Sequence, residues 1–298
     1  MTRFSALRPG DSVALIAPAS PFDPALYEKG SRILQEAGYR VVPGESILKR
    51  QGYLAGTDIE RVRDLSNAVL DPEVRAIVCI RGGYGSGRLL PWILFPSFQK
   101  NPKILIGHSD ITFLHLALNS RAGWTTFHGP NLTGMAEDPD RANCVLNALA
   151  GRGEYDWTFG PEQVLRHGTV KGPVIGGNLT CLAHLVGTPF LPDMSGALLL
   201  IEDCKEALYR LDRIINHLKL AGILSGLGGI LLGEFTNCAE NSAICDMVMD
   251  HVSIYDFPVV HSLPFGHGRR NDLIPFGAPF LLDSHERVLR ILENPVAP

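Results

Sequence analysis

Between residues 12 and 122 the chain alternates short apolar runs with capped, amphipathic segments. This alternation restricts the possible folds more than any other feature. Residues 12–17 (SVALIA) form an apolar run stopped by Pro18, the mark of a buried strand. Residues 24–37 read as a helix closed by Gly38, residues 39–42 as a second strand, and residues 58–67 as a charged helix. Residues 76–80 (AIVCI) and 103–107 (KILIG) are further apolar strands. After the latter, Ile111, Leu114 and Leu118 share one helix face. Strands alternating with helices predict a parallel sheet covered on both faces. Such sheets bind ligands at the carboxyl ends of their strands, which directs attention to the loops at Pro18, Arg81 and Gly107.

The pattern changes near Ala150. A chain of 298 residues exceeds the usual size of a single core, so two domains are expected. Residues 151–170 are polar, aromatic and aperiodic and read as a linker. Beyond them lie short strands at 173–175, 197–201, 229–232, 258–260, 280–282 and 288–291. One helix interrupts them, with Ala207, Leu208, Leu211, Ile214, Ile215 and Leu218 at helical spacing. The expected organisation is therefore an α/β domain over 1–150, a linker, and a smaller β-rich α+β domain over 171–298.

Composition excludes several function classes. A net charge of −4 with no basic stripe argues against a nucleic-acid partner. No apolar run approaches the ~18 residues of a membrane span. The first residues, Met1 to Ser5, lack an apolar export segment, so a cytoplasmic protein is expected. The 6 cysteines form no CxxC pair and read as reduced thiols, not as a disulfide framework or zinc site.

Four segments could carry chemistry. In Gly107-His108-Ser109-Asp110-Ile111 a serine stands between a buried strand and an amphipathic helix. That placement exposes its hydroxyl beside free helix N–H groups, which can stabilise an oxyanion. Ser109 or Asp110 acting only as a helix cap is the plainer alternative. The glycine-rich run from Arg81 to Arg88 follows a buried strand and lets backbone N–H groups approach a ligand. Gly82 and Gly87 have P-loop spacing, but Arg88-Leu89 replaces Lys-Ser/Thr, and G-x-G-x-x-G fails in every register. A plain turn is the alternative there. Glu202 and Asp203 end an apolar strand, where a carboxylate could orient a histidine or merely favour a helix N-terminus. His267, flanked by Gly266 and Gly268, lies in a loop and has the most site-like context of the 10 histidines. His115, His184 and His217 fall in helical patterns, whereas His108 and His128 lie near the candidate site. No H-E-x-x-H or clustered ligand spacing suggests a metal. Together these segments supply a nucleophile, an acid and a base in the order Ser109, Glu202, His267. The first lies in one half of the chain and the others in the second, so the site is expected in the cleft between them.

In this order the motifs resemble the LD-carboxypeptidases, the muramoyltetrapeptide carboxypeptidase family of serine peptidases. The resemblance runs from Leu7-Arg8-Pro9-Gly10-Asp11 to Pro275-Phe276-Gly277. It includes Ala17-Pro18-Ala19-Ser20, Arg81-Gly82-Gly83-Tyr84-Gly85, Gly107-His108-Ser109-Asp110 and His128-Gly129-Pro130. It also includes Gly176-Gly177-Asn178-Leu179, Glu202-Asp203 with Tyr209 to Arg213, and Gly266-His267-Gly268.

The family's nucleophile falls on Ser109, its acid on Glu202 and its base on His267. The resemblance further implies an oxyanion hole from the N–H groups of Gly83 and Asp110, a flavodoxin-like first domain, a β-rich second domain, a homodimer, and no metal or other cofactor. One departure is His108, where many members carry an aromatic such as tyrosine. The implied reaction removes terminal D-alanine from a murein tetrapeptide in cytoplasmic peptidoglycan recycling. Arg81, Tyr84, His108 and Arg269 are the substrate-binding candidates, with Arg88 and Arg270 also available by charge and loop position. The rival readings are a microcin C immunity-type peptidase, a non-catalytic small-ligand receptor, and a nucleotide-binding enzyme resting on the incomplete P-loop.

Overall fold

The apolar runs of the first half become five parallel strands. In the computed structural model, which describes residues 1–297, they lie in the order Arg40–Pro43, Ser12–Ile16, Val74–Cys79, Ile104–Gly107, Thr126–His128. This 2-1-3-4-5 order is that of the flavodoxin-like sheets. Alternate residues face opposite layers: Ala14 and Ile16 join one buried cluster, and Val13 and Leu15 the other. The flanking helices begin on local signals. Asp23 accepts the Ala25 N–H ahead of Pro24–Glu36, and Thr57 with Glu60 forms a capping box ahead of Asp58–Leu70.

The second half builds an eight-stranded mixed sheet. Its centre is parallel, with Leu198–Cys204 between Thr169–Asn178 and Gly229–Thr236. Leu198 to Ile201 are fully buried, as an apolar run covered on both faces must be. The helix Leu208–Leu220 buries Leu211, Ile215 and Leu218, as their spacing predicts. The helix Asn241–His251 was not legible, because only Ile244, Cys245 and Val248 of it are buried.

Two expectations need correction. Residues 151–170 are not a free linker. Asp156–Thr158 pairs with Val288–Ile291, and Val164–Arg166 pairs with Val259–Val260, so the segment supplies both edges of the second sheet. Nor do the two halves stay apart. Ile274–Phe276 leaves the second half and pairs antiparallel with Thr126–His128, closing one edge of the first sheet. Ile111, Leu114 and Leu118 of the first half share one apolar cluster with Leu179, Leu182 and Ile201 of the second.

The strand Thr169–Asn178 admits only glycine near its carboxyl end. A Cβ on Gly176 would lie 1.8 Å from the Leu200 carbonyl oxygen, and one on Gly177 would lie 2.5 Å from Thr112 Oγ1. Gly176→Ala is therefore expected to lower unfolding free energy by about 3 kcal/mol or to prevent folding. At Gly134, in the helix Leu132–Glu137, an added Cβ meets nothing closer than 3.7 Å. Gly134→Ala is expected to be neutral or to stabilise by up to about 1 kcal/mol. Urea unfolding of the two variants checks the contrast.

Candidate active site

The strand Ile104–Gly107 ends at His108, and a single 3-10 turn, Ser109–Ile111, leads into the helix Thr112–Ala122. Ser109 has φ of 65°, the left-handed region that non-glycine residues avoid. A strained serine on a strand-to-helix turn is the nucleophile-elbow geometry, here without its last glycine. The helix-cap alternative fails, since neither turn nor helix receives a side-chain cap at its start. Space above Ser109 is kept by Gly82, where a Cβ would come within 2.9 Å of Ser109 Cβ and 3.1 Å of the His108 carbonyl oxygen.

Asp110 is buried and faces the glycine-rich loop. Its carboxylate accepts the Gly85 and Ser86 N–H groups at 3.2 and 2.7 Å, and Ser86 Oγ donates to its carbonyl at 2.6 Å. Ser20 Oγ accepts the Tyr84 N–H at 3.1 Å, and a Cβ on Gly83 (φ 104°) would strike that same oxygen. The buried Arg61 donates to the Pro18 carbonyl and, at 2.9 Å, to the Gly85 carbonyl. Asp58 pairs with Arg61 and, at 2.9 Å, with Arg88. The loop is thus braced from three sides. Among the described residues, neither the Gly83 nor the Asp110 N–H has a backbone acceptor.

Glu202 lies within the strand Leu198–Cys204, opposite Asn178 at the end of the neighbouring strand, and is fully buried. With the proton on Nδ1, His267 donates to Glu202 Oε2 at 2.6 Å, and its Nε2 accepts from the Ser109 hydroxyl at 3.0 Å. Burial alone would lower the His267 pKa, but the adjoining Glu202 carboxylate, helped by Cys204, outweighs it and raises the imidazolium to about 10. Burial pushes the Glu202 carboxyl up from its ordinary value.

The other histidines form a layer behind this line. His108 lies edge-on to His267, with ring centroids 5.1 Å apart, and His128 stacks on Phe276 at 5.1 Å. His115 Nε2 lies 2.8 Å from the Gly107 carbonyl oxygen, bracing the strand that delivers Ser109. Burial holds all three neutral, lowering His108 to about 3, His115 to about 4 and His128 well below the ordinary value. His184 and His217 are exposed on helices or their ends.

The remaining candidates divide. Tyr84 is exposed beside Tyr53 and lines a mostly apolar cleft of about 280 Å³ with Asp110, Phe113 and Phe190. Arg81 is exposed and donates to the Pro21 carbonyl at 2.7 Å. Arg269 lines a cavity of about 290 Å³ with Asp138, Arg141 and Asp272, which Ser109, Glu202 and His267 do not line. Arg270 is paired with Asp272, and Arg88 with Asp58. Among the described residues, no group of three or more His, Cys, Asp or Glu side chains could hold a metal.

Residues 13–129 match the LD-carboxypeptidase N-terminal domain, and residues 171–282 match its C-terminal domain. The chain belongs to the LD-carboxypeptidase family. It is 38% identical over 292 residues to a probable murein peptide carboxypeptidase of Bacillus subtilis, covering 95% of this chain and 92% of that one. The solved muramoyltetrapeptide carboxypeptidase of Oxalobacter formigenes has a TM-score of 0.83 at 30% identity, covering 93% of this chain and 97% of that one. The microcin C7 self-immunity protein of Escherichia coli has a TM-score of 0.89 at 24% identity over the whole of both chains, which shows a shared fold.

Within this family member, sequence reading missed the loop-bracing roles of Asp110, Ser20, Arg61 and Asp58. A carboxylate directly after the candidate nucleophile is the one available signal, and in the sequence its side chain suggests nothing beyond the alternative of a helix cap. Its side chain instead reaches a loop more than 20 residues earlier.

A raised His267 pKa makes its neutral, proton-accepting form appear only as pH increases. The acidic limb of kcat/KM is therefore expected above the ordinary histidine value near 6.5. Glu202→Gln removes the charge that raises it, so the limb should move to lower pH while kcat falls by about 10³–10⁴-fold. A pH–rate profile of both proteins checks this. An unmoved limb would show that Glu202 does not set it.

Proposed function

We propose that this LD-carboxypeptidase hydrolyses the L,D-peptide bond to the terminal D-alanine of murein tetrapeptides, with Ser109 as nucleophile, His267 as base and Glu202 as the group that orients it. The observation that carries this reading is the unbroken hydrogen-bonded line from Glu202 through His267 to Ser109, at 2.6 and 3.0 Å, joining the two halves of the chain.

Each step follows from that line. His267 Nε2 takes the Ser109 proton as Oγ attacks the carbonyl carbon before D-alanine. The carbonyl oxygen becomes an oxyanion and is met by the N–H groups of Gly83 and Asp110. The Glu202 carboxylate stabilises the imidazolium that forms. His267 then gives its proton to the leaving D-alanine nitrogen, and the C–N bond breaks. Water, deprotonated by His267, attacks the acyl-enzyme and releases the shortened peptide and Ser109. Because the braced glycine loop at Gly83 and the turn at Asp110 supply the oxyanion donors from fixed backbone, little reorganisation is needed at the moment of reaction.

Substrate contacts are assigned to groups at the mouth of this site. Arg81 is the candidate for the free D-alanine carboxylate. Tyr84 and the cleft beside Asp110 would receive peptide, and His108 lies next to the base. Arg269 fits this role poorly, because it lines a different cavity. Family membership supports a place in peptidoglycan recycling, a cytoplasmic location and a homodimer. Residues 1–150 and 171–298 are read as the domains that bring nucleophile and base together. No helix among the described residues is long and apolar enough to cross a membrane.

The test incubates purified protein with murein tetrapeptide and follows D-alanine release by mass spectrometry, with an aminoacyl-sulfamoyl adenylate as competing substrate. The tetrapeptide is expected to be cleaved in preference. Ser109→Ala should lower kcat by about 10⁴-fold or more while leaving thermal unfolding unchanged within a few degrees. Folded wild-type protein that releases no D-alanine would overturn the substrate assignment, and full activity in Ser109→Ala would overturn the mechanism.

A further inference from the structure

The base sits on a loop that its own sequence leaves loose. His267 has glycine on both sides, and Gly266 has φ of 110°. Something outside the loop must therefore hold the imidazole within hydrogen-bond reach of Ser109. We propose that Arg141 is the positioning residue that does this. It clamps the base-bearing loop of the second half from a helix of the first, and the inference rests on the serine mechanism above.

Arg141 lies in the helix Pro139–Leu149, and its Nη2 donates to the carbonyls of Gly268 and Arg269 at 2.7 and 3.1 Å. These are the two residues directly after His267. The side chain is only 21% exposed, and its carboxylate neighbour Glu137 is 3.9 Å away and mostly exposed, so Glu137 competes weakly for it. Both bonds leave one Nη2, whose two hydrogens are fixed in the guanidinium plane, whereas a lysine ammonium ends one atom nearer the backbone and rotates freely.

The opposite face of the loop is closed as well. A Cβ on Gly268 would overlap the Glu234 carboxylate, so that side chain lies directly against the loop. Ahead of the base, the Glu234 N–H donates to the Phe265 carbonyl at 2.9 Å, and the Gly266 N–H donates to Asn271 Oδ1 at 3.3 Å. Those contacts come from the second half alone. From the half that carries Ser109, the Leu273 N–H donates to Cys144 Sγ at 3.2 Å and Ile274–Phe276 pairs with Thr126–His128, both several residues beyond the base, whereas Arg141 holds the two residues directly after it and so tunes the spacing between base and nucleophile. A displacement of roughly 1 Å in such a pair costs on the order of 10²-fold in rate.

The test compares wild type, Arg141→Ala and Arg141→Lys by two readouts. One is the rate at which a fluorophosphonate probe labels Ser109, which depends on the activated serine and not on the natural substrate. The other is D-alanine release from murein tetrapeptide. Arg141→Ala is expected to lose about 10–100-fold in labelling rate and in kcat, with KM within about 2-fold of wild type. Arg141→Lys should recover only part of this. The cavity of about 290 Å³ beside Arg141 has room for free guanidinium, so millimolar guanidinium should restore labelling in Arg141→Ala, whereas urea should not. An Arg141→Ala labelling rate within about 2-fold of wild type, or a loss that guanidinium leaves unchanged, would overturn the proposal. Wild type that labels but releases no D-alanine would refute the substrate reading while leaving the Arg141 comparison intact. Wild type that does not label would refute both.

Discussion

A carboxylate with no exposed surface must be paired, and Glu202 is such a group. Its partner His267 lies 65 residues away in the chain, and Ser109 lies 158 residues from His267. Keeping the buried charge satisfied therefore requires the two sheets to be held in one fixed relation. The apolar seam between the helix Thr112–Ala122 and Leu179, Leu182 and Ile201 supplies that relation. Thr112 Oγ1 adds a polar pin by accepting the Asn178 N–H at 2.9 Å, directly opposite Glu202 on the neighbouring strand. The strand Ile274–Phe276 ties the halves a second time, only a few residues beyond His267.

The other costly feature is the backbone at Ser109, held in a left-handed conformation at about 1–3 kcal/mol. Packing around it leaves no alternative. Gly82 and Gly83 approach too closely for side chains, and the Asp110 carboxylate ties the loop through Gly85 and Ser86. The strain and the bracing have the same result: a serine hydroxyl and two backbone N–H groups are fixed before any substrate arrives. The neutral histidine layer behind His267 adds no competing charge, so the Glu202 carboxylate remains the strongest pull on the His267 proton.

The sequence made much of this legible because the relevant signals were local. Apolar runs such as 12–17 and 76–80 marked parallel strands, and the glycines around 82–87 and 266–268 marked places where backbone must come close to something. The segment 151–170 was not legible, because its strands sit at sheet edges and are exposed enough to lack an apolar run. The strand Ile274–Phe276 was missed for a related reason: three residues are too few to carry a period. Arg61 and Arg141 look like ordinary helix-surface arginines, since nothing near them in the chain reveals the carbonyls they bond.

By itself the sequence determined the parallel sheet of the first half, the identity of the three chemically apt residues and the family to which they belong. Each of these depends on residue type and on neighbours within a few positions. Tertiary structure decided which arginines are free, what Asp110 is for, how 151–170 and Ile274–Phe276 knit the two halves, and that His267 reaches both Glu202 and Ser109. Those outcomes depend on distances between segments far apart in the chain, which only the packing of the two sheets sets.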